Sequence, residues 1–249
     1  MFGNPGLAVT KSYLAEVRDD YDFVIVNGEN VAGGFGITRK HFSQFLDAGA
    51  DVVTLGNHTW DAQDAYGLLE ETPRLIRPLN YPPGAPGLGY TTLAVRGGER
   101  VTVVQAMGRI FLPALDCPFR AMDDLLETLL AGTETPVIVD FHAEATSEKK
   151  AMGEYLAGRV AAVIGTHTHV QTADEIVKRG TAYLTDVGMT GVQDSAIGMR
   201  FDEVLYRFTT GLPKRYKPAD ALGTVCAVAL TLSGTRAAQI ERIQWQAPA

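Results

Sequence analysis

The sequence predicts an α/β protein in which two sheets form a layered sandwich with helices outside. Apolar, β-branched runs recur along the chain, and each leads into a loop of Gly, Asn, His or Thr and then into a helix-like pattern. Two other pairs of apolar runs flank short Gly-containing segments, which indicates antiparallel hairpins. Because βα units and hairpins occur together, a mixed sandwich is favoured over a purely parallel sheet.

The βα units and the other elements follow in chain order. Strands are predicted at residues 22–26, 51–55, 136–141 and 160–164, and hairpins at 90–95 with 101–105 and at 225–232 with 237–245. The stretch 73–86 is interpreted as a crossing loop. Helices are predicted from Thr38, with Phe42, Phe45 and Leu46 on one face, and after Ser147. A third helix is indicated by Met122, Leu125, Leu126, Leu129 and Leu130, with Gly132 as its stop.

Composition limits the class of protein. The 249 residues are 46% hydrophobic and 20% charged, and no linker separates two folding units, so a single domain over 1–249 is expected. With 22 basic and 29 acidic residues the net charge is −7, which argues against a broad nucleic-acid surface. Two cysteines are too few for a disulfide framework, and no membrane-length apolar run or signal-peptide layout occurs. We therefore expect a cytoplasmic protein with a small substrate and no membrane partner.

Four of the five histidines lie within the first few residues after predicted strands: His58, His142, His167 and His169. The carboxyl ends of strands meet at one rim of a sheet, where ligand sites gather. The segments Asn27-Gly-Glu-Asn30 and Gly56-Asn-His58 add amide side chains and one carboxylate at that rim. Imidazole and carboxylate together suit divalent first-row metals, and the lack of thiolates argues against a structural zinc site.

Five blocks carry a family resemblance. They are Asn27-Gly-Glu-Asn30, Gly56-Asn-His-Thr-Trp60, Asp140-Phe-His-Ala-Glu-Ala-Thr-Ser-Glu-Lys149, Gly165-Thr-His-Thr-His-Val-Gln-Thr-Ala-Asp174 and Thr185-Asp-Val-Gly-Met-Thr-Gly191. In this order they resemble the YmdB-type branch of the calcineurin-like metallophosphoesterases. The resemblance implies a four-layer α/β/β/α sandwich, two divalent metals (iron or manganese most often, with zinc possible), and hydrolysis of 2′,3′-cyclic or 3′,5′-cyclic nucleotides. It also implies a possible homo-oligomer.

The resemblance also implies a role for each site residue. Glu29 matches a carboxylate that bridges both metals, Asn30 and His169 match ligands of the first metal, and Asn57, His142 and His167 match ligands of the second. His58 matches the general acid that protonates the leaving ribose oxygen, while a hydroxide bridging the metals attacks phosphorus. Residues two apart on an extended segment point the same way, which lets His167 and His169 face one rim.

Other residues have both a functional and a structural interpretation. Arg109 and Asp186 line the substrate pocket or serve structure, and the loop 188–191 is a candidate pocket wall. Glu144 and Glu148 are both candidates to orient an imidazole, and a solvated helix start is the favoured interpretation for Glu148.

The N-terminus departs from the family pattern. The family begins with a strand of the form Ile-Gly-Asp-Val-Phe-Gly-x-Pro-Gly, whose Asp is a ligand of the first metal, whereas this chain begins Met1-Phe-Gly-Asn-Pro-Gly6. The predicted fold therefore lacks the first N-terminal strand and one ligand, and a start site upstream of Met1 is the favoured explanation because a lost central strand exposes sheet edges. Two alternatives stay open: a phosphomonoesterase of the same fold, and a catalytically impaired metal- or nucleotide-binding regulatory protein.

Overall fold

A computed structural model of the chain describes residues 1–129, 131–132 and 134–247. The elements, in chain order, are α1 (Gly3–Val17), β1 (Ile25–Asn27), α2 (Arg39–Asp47), β2 (Val52–Thr54), α3 (Asp64–Glu71), β3 (Leu75–Ile76), β4 (Tyr90–Ala94), β5 (Arg100–Met107), α4 (Pro118–Asp124) with a π-helical turn (Leu125–Leu129), β6 (Val137–His142), α5 (Thr146–Leu156), β7 (Ala162–Thr166), β8 (Ile176–Lys178), β9 (Thr181–Leu184), α6 (Phe201–Thr210), β10 (Thr224–Ser233) and β11 (Arg236–Gln246).

The strands form two sheets and a long hairpin. Strands β1, β2 and β3 make a parallel three-stranded sheet. The larger sheet has the order β4-β5-β6-β7-β9-β8, in which β5, β6, β7 and β9 are parallel and the edge strands β4 and β8 are antiparallel. Strands β10 and β11 pair with each other. The predicted mixed α/β class with several sheets and helices is therefore confirmed.

Apolar clusters hold these sheets and helices together. Val52 and Ile76 of the small sheet pack against Val103 of the large sheet. Phe45 of α2 and Leu68 of α3 belong to a second cluster on the small sheet. The large sheet buries its other apolar residues against α4 and α5 in a cluster that includes Phe141, Met122 and Leu156, and against the hairpin in one that includes Ile164, Leu184 and Ile240. The complete four-layer order stays a prediction.

Most predicted elements agree with the structure within two or three residues. The Thr38 hydroxyl accepts the His41 backbone N–H as the N-cap of α2, and both predicted hairpins form. The crossing loop 73–86 contains the short strand β3. The helix after Pro118 continues as a π-helical turn, and the predicted helical position Leu130 lies outside the described residues.

Phe2 connects the N-terminal residues to the loop after β1 of the small sheet and to the loop after β9 of the large sheet. It forms a parallel bridge with Asn30, just beyond β1, and its backbone N–H donates to the Thr190 carbonyl at 2.9 Å. The helix α1 then starts at Gly3 and buries Leu7, Val9 and Leu14. In the described part of the chain, none of the helices combines the length and apolar character that a bilayer crossing needs.

Candidate metal centre

The carboxyl ends of four strands from both sheets meet at one place. Glu29 follows β1, Asn57 follows β2, His142 is the last residue of β6, and His167 follows β7 directly. Parallel strands within each sheet bring their carboxyl ends to the same edge, and the packing of the two sheets brings the two edges together. The strand-end residues predicted from the sequence therefore lie in contact.

Three polar side-chain atoms converge on a single ring nitrogen. The Nε2 atom of His142 lies 2.9 Å from Asn57 Oδ1, 3.0 Å from His167 Nδ1 and 3.1 Å from Glu29 Oε2. His142 is fully buried and Glu29 is 1% exposed. A ring nitrogen donates at most one hydrogen, so it cannot satisfy all of these neighbours at once.

Burial favours the neutral forms of these groups. It raises the pKa of Glu29 to about 8, although a hydrogen bond from the His58 backbone opposes the shift. It holds the pKa of His142 well below its usual range, and positive charge on His167 and Lys149 acts in the same direction. Both shifts favour a neutral hydrogen bond between Glu29 and His142 over an ion pair. A cation at this point would replace the shared proton and keep Glu29 ionised.

Gly56 makes room for both side chains. A Cβ atom at position 56 would lie 2.5 Å from His142 Nε2 and 2.6 Å from Glu29 Oε1, closer than real Cβ contacts allow. The imidazole and the carboxylate thus approach the backbone of the β2 loop where only glycine fits.

Asn30 and His169 line a neighbouring cavity of about 30 Å³ together with Glu29 and His167. The Nδ1 of His169 lies 3.1 Å from the Ile197 carbonyl oxygen, which only accepts, so Nε2 is the nitrogen left for ligation. Burial lowers the pKa of His169 to about 4 and keeps the ring neutral. Gly188 and Met189 of the predicted loop 188–191 also line this cavity.

The extended conformation predicted for His167 and His169 is wrong. Strand β7 ends at Thr166, and φ is +98° at His167 and +68° at His169. Asp186 holds the residue between them, because its Oδ2 accepts from the backbone N–H of Thr168 at 3.0 Å and from the hydroxyl at 2.7 Å. Both histidines reach the cavity through this left-handed turn and not through strand alternation.

Lys149 of α5 in turn holds the Asp186 carboxylate in place. Its Nζ lies 2.6 Å from Asp186 Oδ2, and both side chains are 1% exposed. Of the two interpretations of Asp186, structural support is the one the contacts favour.

His58 lies beside the cluster but points elsewhere. Its Nδ1 is 2.7 Å from Asp61 Oδ2, and the ring packs edge-on against Phe35 at 5.0 Å between centroids. Its backbone N–H donates to Glu29 Oε1 at 2.8 Å. The position of this imidazole is therefore tied to the Glu29 carboxylate through the main chain, while the ring stays partly exposed.

The two acidic residues Glu144 and Glu148, which follow β6, have different hydrogen-bond partners. Glu144 Oε2 lies 3.0 Å from His167 Nε2, as expected of a residue that orients an imidazole. The solvated position predicted for Glu148 is wrong. Glu148 is buried because its carboxylate accepts the backbone N–H groups of Arg109 and Ile110 at 3.0–3.3 Å, while the Arg109 residue itself is exposed.

Sequence reasoning missed a buried polar network beneath the site. The Asp140 carboxylate accepts hydrogen bonds from Asn27, Thr54 and Thr166, each on a different strand. The available signal is a run of polar residues at the ends of otherwise apolar strands, but the pairing across two sheets is not visible in one sequence.

The donor set fits a divalent metal. In the described part of the chain no group of three or more His, Cys, Asp or Glu side chains is by itself arranged around one metal position; the candidate set includes the amides of Asn30 and Asn57. Imidazole nitrogens, amide oxygens and a shared carboxylate suit manganese, iron or zinc. The crowding of acceptor atoms around His142 Nε2 is what a cation would relieve.

The fold and this site define a mixed α/β protein in which polar side chains from two sheets gather at the carboxyl ends of the strands. The family model described as YmdB-like protein matches residues 1–243. The chain is 45% identical over 247 residues to the 2′,3′-cyclic-nucleotide 2′-phosphodiesterase of Bacillus subtilis, covering 97% of this chain and 92% of the relative. The chain therefore belongs to the YmdB-like family, and the prediction of a phosphodiesterase-class enzyme is confirmed.

Two solved structures share this fold over nearly the full chain. A hypothetical protein from Thermus thermophilus superposes with a TM-score of 0.94 at 47% identity, covering 99% of this chain and 96% of that one. A novel phosphatase from Mycoplasma pneumoniae superposes with a TM-score of 0.90 at 30% identity, covering 98% and 90%.

Proposed function

We propose that this chain is a metal-dependent phosphodiesterase that hydrolyses cyclic nucleotides, 2′,3′-cyclic ones foremost and 3′,5′-cyclic ones as a second class. The observation that carries the proposal is the convergence of Glu29, Asn57 and His167 on the Nε2 atom of His142. The name of the Bacillus relative, which aligns with 97% of the chain, supports the same substrate class.

Two divalent ions, iron or manganese before zinc, are the proposed cofactors. When bound, such ions polarise phosphoryl oxygens and lower the pKa of water so that it attacks near neutral pH. Asn57, His142 and His167 would hold one ion, Asn30 and His169 the other, and Glu29 both. Glu29 lies between the two groups, because it contacts His142 and also lines the cavity with Asn30 and His169.

His58 is the proposed general acid. Asp61 accepts from Nδ1, which leaves Nε2 to donate a proton to the leaving ribose oxygen. The hydrogen bond from the His58 backbone to Glu29 fixes the distance between this acid and the candidate metal ligands. Partial exposure of the imidazole gives a substrate access to it.

The test is a substrate comparison on protein stripped of metal and then loaded with manganese or iron. We expect conversion of 2′,3′-cyclic AMP to the 3′-monophosphate, measured by chromatography, with slower turnover of 3′,5′-cyclic AMP and of p-nitrophenyl phosphate. Hydrolysis of the monoester alone would instead identify a phosphomonoesterase. Metal binding without hydrolysis of any substrate would indicate a regulatory binding protein, and either result contradicts the proposal.

A further inference from the structure

A single buried carboxylate joins strands from both sheets directly beneath the candidate metal centre. Asp140 Oδ2 accepts from Asn27 Nδ2 at 3.0 Å and from the Thr54 hydroxyl, and Oδ1 accepts from the Thr166 hydroxyl at 2.7 Å. Asp140 is 7% exposed. Because both oxygens are already used by side chains within the core, Asp140 is placed to support ligands rather than to be one.

Counting hydrogens on this network fixes the tautomer of His142. The Thr166 hydroxyl has one hydrogen and donates it to Asp140, so its oxygen can only accept from His142 Nδ1, which lies 3.0 Å away. The Nδ1 atom must then carry the ring hydrogen. The Nε2 atom is left with a lone pair, and this atom is the one that Glu29, Asn57 and His167 surround.

A second branch of the network reaches Glu29. The Asn27 amide donates to Asp140 and to the Leu55 carbonyl, so its Oδ1 is turned towards the backbone N–H of Glu29 and accepts from it at 3.2 Å. Asp140 therefore sets the orientation of an amide in the small sheet and of a hydroxyl in the large sheet.

We propose that Asp140 and Thr166 are positioning residues that hold His142 with its hydrogen on Nδ1 and so present the Nε2 lone pair to a metal. The metal part of this inference rests on the proposed function, whereas the tautomer does not. Partners that orient the second nitrogen of a ligating imidazole typically change metal affinity by about 10–100-fold when they are removed.

The test compares Thr166→Val with Thr166→Ser. Valine keeps the shape and the β-branching of threonine but cannot accept a hydrogen bond, and serine keeps the hydroxyl as the matched control. Nitrogen-15 NMR of the histidine rings in the metal-free protein reports which ring nitrogen of His142 carries hydrogen. Calorimetric titration with Mn²⁺ then gives the affinity, and thermal unfolding of the metal-free proteins gives the structural effect.

We expect the Nδ1–H form in the original protein and in Thr166→Ser, loss of that single form in Thr166→Val, and a fall in Mn²⁺ affinity of about 10–100-fold in Thr166→Val only. An Nε2–H form in the original protein, or unchanged Mn²⁺ affinity in a folded Thr166→Val, would overturn the proposal. If the original protein has the Nδ1–H form and binds Mn²⁺ but hydrolyses no cyclic nucleotide, the proposed function fails while this inference stands.

Discussion

Glu29 Oε2 lies 3.1 Å from His142 Nε2, although the strands that position these two residues belong to different sheets. Glu29 follows β1 of the small sheet, and His142 ends β6 of the large sheet. The contact therefore exists only when the two sheets are packed, and the candidate metal centre depends on that packing as much as on its own side chains.

Gly56→Ala should disrupt this contact directly. The new methyl group would lie within 2.6 Å of both His142 and Glu29, so at least one of them must move. A displacement of about 1 Å at a reacting centre lowers turnover by roughly 100-fold. We expect a loss of that order in kcat/KM for 2′,3′-cyclic AMP together with weaker Mn²⁺ binding, measured by calorimetry.

Gly67→Ala is the matched control for that substitution. Gly67 lies in α3, and its added Cβ would meet the nearest atom, Glu71 Oε1, at an ordinary 3.4 Å. Alanine favours a helix over glycine by about 1 kcal/mol, so unfolding stability should rise slightly while activity is kept. Equal losses in both variants would show that the effect at Gly56 is not specific to the site.

His58→Ala and His142→Ala should fail in different ways. The His58 side chain contacts Asp61, and alanine keeps the backbone hydrogen bond to Glu29, so His58→Ala should leave the metal content unchanged and reduce kcat by about 10²–10⁴-fold. His142→Ala removes the atom on which the other candidate ligands converge, so metal content itself should fall. Elemental analysis measures the metal content of each variant, and steady-state kinetics measures its kcat, so the two kinds of failure can be told apart. Full activity in His58→Ala would refute the general-acid role.

Breaking the buried pair of Lys149 and Asp186 should destabilise the protein strongly. Asp186→Ala leaves the Lys149 ammonium 1% exposed without its partner, which costs about 3–5 kcal/mol of unfolding free energy. It also frees Thr168 between the two histidines, so metal affinity should fall as well. Urea denaturation and Mn²⁺ titration measure the two effects.

The exposed pair of Arg39 and Glu71 provides the comparison. Both side chains are more than half exposed, so solvent screens their attraction and Glu71→Gln should change stability little. A loss in Glu71→Gln as large as that in Asp186→Ala would mean that burial is not what makes the pair of Lys149 and Asp186 important.

Asp174 predicts a specific dependence of stability on pH. Although partial burial raises its pKa, hydrogen bonds from Thr185, Thr172 and Lys150 lower it to about 2. The folded protein therefore favours the ionised form, so this contribution is full above about pH 4 and is lost as pH falls towards 2. Asp174→Asn should lower the unfolding free energy at pH 7 by about 1–2 kcal/mol after allowance for solvent screening.

Denaturant unfolding of the original protein and Asp174→Asn between pH 3 and pH 7 checks this. The difference between the two proteins should shrink as the pH falls. A difference that stays constant, or that grows in acid, would contradict the assigned direction of the pKa shift.

The sequence is informative where apolar runs end in polar loops. Strands β1, β2, β6 and β7 and the polar residues at their ends could be predicted, because each strand is a mostly apolar run in the sequence. Helix α1 could not be predicted from the sequence. Gly3, Pro5 and Gly6 lie in its first turn, and glycine and proline have a low propensity for helices. Pro5 is tolerated there because the first turn needs no backbone hydrogen.

Other features depend on contacts between distant segments. The left-handed turn at His167 and His169 is imposed by Asp186, and the burial of Glu148 by the backbone of the loop after β5. The role of Asp140 requires three partners from three other strands. Periodicity reports which residues are buried, but it does not report which buried polar groups pair across two sheets.

Anomalous diffraction from crystals of the manganese-loaded protein tests the central claim most directly. We expect a peak about 2.0–2.2 Å from His142 Nε2 and within coordination distance of Asn57, His167 and Glu29, with a second peak beside Asn30 and His169. A manganese-loaded, active crystal without density at His142, or with its metal bound at a different set of residues, would contradict it.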